Sequence, residues 1–169
     1  GAHLTMSSII DSDLRGANFA EIETDQLTFI QCDLTSVSFV KAKLERTSFI
    51  KCKGESVDFS ESKQDRVALI EDSQFTGSKW VRAKLRQVCL RGAELKDANF
   101  NSADAEGCDF SGANLAGANF YRVRAPKALF VRTSLKHADM KSTWLIGAVL
   151  QKARVHGADF RNQKSNILR

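Results

Sequence analysis

The sequence predicts an all-β fold, a square solenoid of parallel strands about eight coils long. Three observations carry that expectation. A large apolar residue recurs every five positions, a small residue stands two places before it, and phenylalanine and leucine sort onto different walls once four units make one coil. A period of five is neither an α-helix at 3.6 nor a plain strand at 2.0. It marks an internal repeat, which decides the architecture before any other signal.

The large positions run from Ile9 through Leu14, Phe19, Phe29, Leu34, Phe39, Leu44, Phe49, Phe59 and Leu69. After one extra residue they resume at Phe75, Trp80, Leu85, Leu90, Leu95 and Phe100 and continue to Phe160. Of 31 such positions only Thr24, Gly54, Gln64, Ala105 and Ala125 are not large and apolar. Two places earlier stand Ala, Ser, Cys, Val or Thr, except at Ile22 and Leu27. A unit whose large side chain always points inward must turn a corner every five residues, so four corners close a coil of 20. Successive coils then pair their backbones about 4.8 Å apart. Gly16, Gly77, Gly92, Gly112, Gly117, Gly147 and Gly157 fall two after a central residue, where the chain turns and glycine is least strained.

Taking the extra residue between Leu69 and Phe75 as a bulge, the central residues sort into four walls. Wall A reads Phe19, Phe39, Phe59, Trp80, Phe100, Phe120, Met140, Phe160, and the opposite wall C reads Phe29, Phe49, Leu69, Leu90, Phe110, Phe130, Leu150. Wall B reads Thr24, Leu44, Gln64, Leu85, Ala105, Ala125, Leu145, and wall D reads Leu14, Leu34, Gly54, Phe75, Leu95, Leu115, Leu135, Val155. A period of five alone does not segregate phenylalanine onto two opposed walls; a coil of 20 does. Gly54 and Gln64 replace large residues on facing walls among many charged neighbours, which predicts a thinned or bulged coil around residues 52–74.

The stretches Gly92-Ala93-Glu94-Leu95, Ala98-Asn99-Phe100 and Gly112-Ala113-Asn114-Leu115-Ala116-Gly117-Ala118-Asn119-Phe120 resemble the A(D/N)LxX motif of pentapeptide-repeat proteins. The resemblance covers nearly the whole chain and is tightest between Val81 and Phe160. It implies a right-handed quadrilateral β-helix. Some members of that family mimic DNA and protect type II topoisomerases such as gyrase from quinolones or toxins, which requires a strongly acidic surface.

The 169 residues fit one domain, expected over residues 7–169. Gly1 to Thr5 before Met6 resemble a tag remnant, so residues 1–6 are placed outside it. No apolar run approaches the roughly 20 residues of a membrane span, and no signal-peptide pattern is present. Net charge is +5, unevenly spread: residues 1–78 carry −5 and residues 79–169 carry +10. Such polarity suits steering of a polarised partner or head-to-tail stacking of rods. Cys32, Cys52 and Cys108 occupy the small inner slot and Cys89 faces outward, with no metal-binding spacing. Reduced thiols suit a cytoplasmic protein, with secretion as part of an effector or secretion apparatus the other expectation.

Nothing in the pattern converges on chemistry, so no catalytic, cofactor or metal role is expected; a straight rod offers a filled axis and convex walls. His137 and His156 fall on one wall in successive coils without an accompanying carboxylate ladder. Asp13, Asp33, Asp58, Asp109, Asp139 and Asp159 precede central residues, where such side chains bond local backbone. Outward apolar residues are more informative, because outer positions should be polar. Ile30, Ile50 and Ile70 follow the centres of wall C in three coils; Leu129, Val131 and Val149 lie further along it, with Trp144 on the neighbouring wall. These seven residues form the candidate protein-interaction surface, for a protein partner or for pairing of copies by wall or end. Arg82, Arg122, Lys141 and Arg161, with Tyr121, form a candidate basic strip along wall A. Direct nucleic-acid binding is not expected from it, since aromatic interleaving is absent. The chain stops at Ile167-Leu168-Arg169 partway through a repeat, as a segment of a longer protein would. The sequence-level expectation is thus a non-enzymatic interaction scaffold, with DNA-mimicking protection of gyrase as the alternative.

Overall fold

The computed structural model describes residues 2–70 and 73–163, apart from the side chains of Leu69, Ile70 and Arg86. Within it the period of five becomes a square coil. Strands β1 (His3–Ile10), β2 (Glu23–Ile30), β3 (Lys43–Glu45), β4 (Ser48–Ile50), β5 (Lys63–Asp65), β6 (Ala68–Ile70) and β7 (Lys84–Arg86) form one parallel sheet ordered β6-β4-β2-β3-β5-β7, with β1 on β2. Beyond it the ladder continues as isolated parallel bridges, one per wall and coil. On wall A they join Asn18, Ser38, Asp58, Lys79, Asn99, Asn119, Asp139 and Asp159, eight levels in all.

The register locates the extra residue. Ile50 faces Ile70, 20 residues on, whereas Lys53 faces Gln74, 21 residues on. The insertion therefore falls between Ile70 and Gln74, within the stretch from Leu69 to Phe75 where the sequence predicts the bulge; Glu71 and Asp72 lie outside the described residues. The boundary expected at residue 7 moves, because His3, Leu4 and Thr5 pair with Glu23, Thr24 and Asp25 as part of β1. Residues that resemble a tag remnant are the first rung of the ladder.

Corners explain how one sequence pattern makes a square. Ala17 N donates to Leu14 O at 2.9 Å across Arg15 and Gly16, and Gly16 has φ +67°. A positive φ at the third residue of a hydrogen-bonded four-residue turn is the signature of a type II turn. Glycine is not required there: among the described residues 23 non-glycine residues, from Met6 to Asn162, share this left-handed conformation. Such a residue costs roughly 1–2 kcal/mol. That cost is offset because corner amides with a coil beyond them still join the ladder, as Gln31 N does to Ile50 O at 2.9 Å, and because the turn aims the next large side chain inward.

The axis is packed with aromatic rings. On wall A, Phe39 stacks on Phe19 at 5.3 Å and on Phe59 at 5.0 Å, and Trp80 on Phe59 at 4.3 Å. These separations follow the ladder spacing, so stacking and backbone pairing demand the same rise. Rings of walls A and C meet edge to face, Phe29 against Phe39 at 5.9 Å and Phe110 against Phe120 at 5.6 Å. Thr24 compensates for its size by hydrogen bonding to buried Thr47 at 2.8 Å.

The coil around Gly54 is not thinned. A Cβ on Gly54 would meet Val57 Cγ2 at 2.5 Å, the Phe75 ring at 3.1 Å and Leu34 Cβ at 3.3 Å. Its neighbours already fill the missing volume, and the ladder passes through unbroken, with Gly54 N donating to Gln74 O at 2.7 Å. Gln64 is buried in the axis, its Nε2 donating to Ser62 Oγ at 2.9 Å, while its Oε1 meets no protein donor among the described residues.

Candidate protein-interaction surface

Wall C carries the longest column of apolar side chains outside the core. Its outer columns follow from the register. Ser8, Thr28, Ser48, Ala68, Cys89, Asp109, Leu129 and Val149 stack before the centres; Ile10, Ile30, Ile50 and Ile70 stack after them. Arg91, Ser111, Val131 and Gln151 continue the second column, the carbonyls of the last three accepting from the corner amides of Gly92, Gly112 and Arg132. Ile30, Ile50, Leu129 and Val131 are half-buried, each shielded by the rungs beside it, and Val149 is 40% exposed. The side chain of Ile70 lies outside the described residues. Trp144 is half-buried on wall B above Arg124, not on wall C.

Two members of this surface were missed by the sequence reading. Ile10, 56% exposed, heads the isoleucine column, and Ile146, 41% exposed, carries the apolar character round the B–C corner beside Val149. Both follow a central residue directly, so the rule that found Ile30 could have found them. Towards the C-terminal end, Leu129 and Val131 floor a groove of about 510 Å³ rimmed by Arg91, Arg132, Gln151 and Lys152. Arg91 is held by Asp109 at 2.7 Å. Lys127, Arg132 and Lys152, on the corners flanking the wall, have no acidic partner among the described residues.

The basic strip on wall A is largely neutralised. Arg82 is paired with Glu61, Lys141 with Asp139 at 3.1 Å and Arg161 with Asp159 at 2.7 Å, while Arg122 lies 4.9 Å over the Tyr121 ring. Residues spaced by about 20 stack vertically, so an acid one rung away or in the same unit meets Arg82, Lys141 and Arg161. The aspartates behave as their position predicts: the carboxylates of Asp13, Asp33, Asp58, Asp109, Asp139 and Asp159 each accept from the amide two residues on. The hydrogen bond from the Arg161 side chain, with that from its amide, holds the Asp159 carboxyl down at about 2, and Arg15 does the same for Asp13. A folded pKa below the unfolded value near 3.8 means the stabilisation is present at neutral pH and lost as pH falls from about 4 towards 2. Carboxyl carbon shifts of Asp13 and Asp159 followed by NMR should titrate near that lower limit.

His137 and His156 are neighbours, ring centres 5.6 Å apart and edge to face. Among the described residues no group of His, Cys, Asp or Glu is placed to hold a metal ion, and no helix is long and apolar enough to cross a membrane. All four cysteines are free. Burial pushes the Cys52 thiol up to about 11 and the Cys108 thiol to about 12. Cys89 alone sits half-exposed. A thiol reagent at pH 8 should therefore label Cys89 roughly a hundredfold faster than Cys32, Cys52 and Cys108, which should react only on unfolding. Equal rates for all four would show that the coils open far more readily than this packing allows.

Comparison with known families turns on how much of the coil their repeats account for. A pentapeptide-repeat region model matches residues 23–100, and an eight-copy pentapeptide-repeat model matches 93–130, 113–151 and 128–162. Together they span nearly every coil. The chain belongs to the pentapeptide-repeat family. Among solved structures, this pentapeptide-repeat protein is similar to a trypsin-treated variant of QnrB1, a plasmid-mediated fluoroquinolone resistance protein. The identity is 17%, with 98% of this chain and 92% of that one covered and a TM-score of 0.74. It also matches HetL, a pentapeptide-repeat protein involved in heterocyst differentiation regulation in the cyanobacterium Nostoc sp. strain PCC 7120. That identity is 23%, with 96% and 86% covered and a TM-score of 0.47. No curated protein sequence matches significantly. At these identities the likeness to QnrB1 shows the shared fold alone.

Proposed function

We propose that this pentapeptide-repeat protein is a non-enzymatic protein-interaction scaffold whose rigid rod presents wall C as its binding surface. The observation that carries this reading is the outward apolar column headed by Ile10 and continued by Ile30 and Ile50, matched further along by Leu129, Val131 and Val149. In a repeat whose core is already filled, such residues have no inward use. The rod suits the role physically: ladder pairing and stacked rings fix the spacing of surface columns, so a partner meets a preorganised face.

Gyrase protection by DNA mimicry is the weaker alternative, because the half beyond Ser78 carries +10 rather than the required negative surface. A supercoiling assay with a quinolone separates the two readings: the scaffold predicts no protection. The direct test compares the wild-type rod with Ile50→Lys/Val149→Lys and with Ser60→Lys/Asn101→Lys, which adds the same charge to wall A. Quantitative capture should drop at least tenfold for the first pair and not for the second. Unchanged capture and sedimentation in the wall C variant would sink the proposal.

A further inference from the structure

We infer that wall C is built to pair with a second copy of this chain, side by side and antiparallel, about a two-fold axis crossing the wall near its middle. The inference rests on the reading of wall C as the binding surface and names its occupant. The distribution of apolar residues along the wall motivates it. They lie at both ends, Ile10, Ile30 and Ile50 in the first three levels and Leu129, Val131 and Val149 in the last two. Between them the column of Ala68 and Ile70 gives way, from Cys89 onward, to the Arg91–Asp109 ion pair and Ser111. An antiparallel two-fold lays each end on the other. Level two then meets level seven, so Ile30 faces Val131 and Thr28 faces Leu129. At that level the contact has the self-complementarity an isologous interface requires, while Ile10 meets Gln151 and Ile50 meets Ser111.

Charge selects the direction. Antiparallel pairing sets the −5 half of one rod against the +10 half of the other. On the corner between walls C and D it brings Asp11 opposite Lys152, Gln31 opposite Arg132 and Lys51 opposite Gly112, so no like charges meet among the described residues there. The parallel alternative turns about an axis parallel to the rods in the contact plane and matches equal levels. It would press Lys127 against Arg132 and Arg46 against Lys51, and lay basic half on basic half. Size is adequate as well. Eight levels at ladder spacing give a wall about 35 Å long and, with its corners, about 15–20 Å wide. Two copies would bury on the order of 1,000–1,400 Å², at the lower end of stable specific interfaces. Because the contact is two-fold, assembly closes at the dimer, whereas head-to-tail stacking would continue into filaments.

Light scattering and sedimentation of the full chain test this directly. A particle of twice the 18.7 kDa chain mass is expected at micromolar concentration. Its dissociation constant should rise at least tenfold in Ile30→Lys and in Val131→Lys, with unchanged circular dichroism as the folding control. Asp11→Lys should weaken pairing and Asp11→Lys/Lys152→Asp should restore it. Register is read by cross-linking in a Cys89→Ser background. Gln31→Cys and Arg132→Cys lie five levels apart in one rod, about 24 Å, beyond the reach of a linker of about 8 Å. Mixing the two single variants should give a cross-linked dimer, and neither should cross-link alone. A monomer at 200 µM, an open ladder of oligomers, or a dimer indifferent to Ile30→Lys would each overturn the inference. The underlying reading fails separately: a monomer that still loses captured partners in Ile50→Lys/Val149→Lys removes self-pairing alone, and one with unchanged capture removes both.

Discussion

Phe39→Ala is expected to lower the unfolding free energy by about 3–5 kcal/mol, the range for emptying a buried aromatic site. Phe39 is fully buried and central to the densest ring cluster of the axis. It stacks on Phe19 and Phe59 along wall A and meets Phe29 and Phe49 edge to face across the axis at 5.9 Å each. Alanine would remove all four ring contacts at once. The walls cannot collapse into the space, because their separation is fixed by corners and by ladder bonds above and below. Against a total stability of roughly 5–15 kcal/mol for a domain of this size, that is a large fraction. The loss should also be local, since each coil of a solenoid contacts only its neighbours: hydrogen exchange should accelerate in the first coils before it does near Phe110. Val40→Ala, next in the chain but facing outward, should cost less than about 1 kcal/mol. Chemical unfolding followed by circular dichroism decides it; equal costs for the two variants would show that the ring column does not hold the axis.

Most of this fold was legible because it is written redundantly. A five-residue period repeated through the chain fixes which side chains point inward, and the phenylalanine sorting fixes that four units make a coil. A register shift of one residue was visible as the jump between Leu69 and Phe75. Three features were less legible. Corner residues such as Lys41 and Arg132 carry no sequence mark of a left-handed φ, since the strain is met by ladder bonds from neighbouring coils. The volume that fills the site of Gly54 comes from Val57 in its own coil and Phe75 in the next, a relation that linear spacing does not show. Ion pairing of the basic strip depended on side chains stacked a rung apart or folded back within one unit. The candidate surface was partly legible for the same reason as the core. Outward positions are defined by the phase of the repeat, so Ile30 and Val149 stood out, and Ile10, directly after the central Ile9, obeys the same rule.

The two departures from the repeat in the third coil should respond to repair in opposite directions, although a repeat consensus treats them alike. Gln64→Leu is expected to stabilise the rod by about 1 kcal/mol. Gln64 is 2% exposed and lies in register between Leu44 and Leu85. Its Oε1 finds no protein donor among the described residues, and an unpaired buried amide oxygen costs about 1–3 kcal/mol. Removing the amide leaves Ser62 satisfied, because its hydroxyl also donates to Phe59 O at 2.7 Å. Gly54→Leu should instead destabilise by about 2–3 kcal/mol, as overpacking does. Even its Cβ would stand 2.5 Å from Val57 Cγ2, and the rest of the side chain would enter space held by the Phe75 ring. The cause is steric rather than conformational, so Gly54→Ala should already cost about 1 kcal/mol or more. Phe75→Leu shortens the intruding neighbour to the leucine usual on wall D, and combined with Gly54→Leu it should recover at least 1 kcal/mol relative to the sum of the single effects. Thermal and chemical unfolding of the four variants and the double variant measure this coupling. Additivity of the pair, or stabilisation by Gly54→Leu alone, would mean that Phe75 and Val57 do not occupy the missing side chain's place.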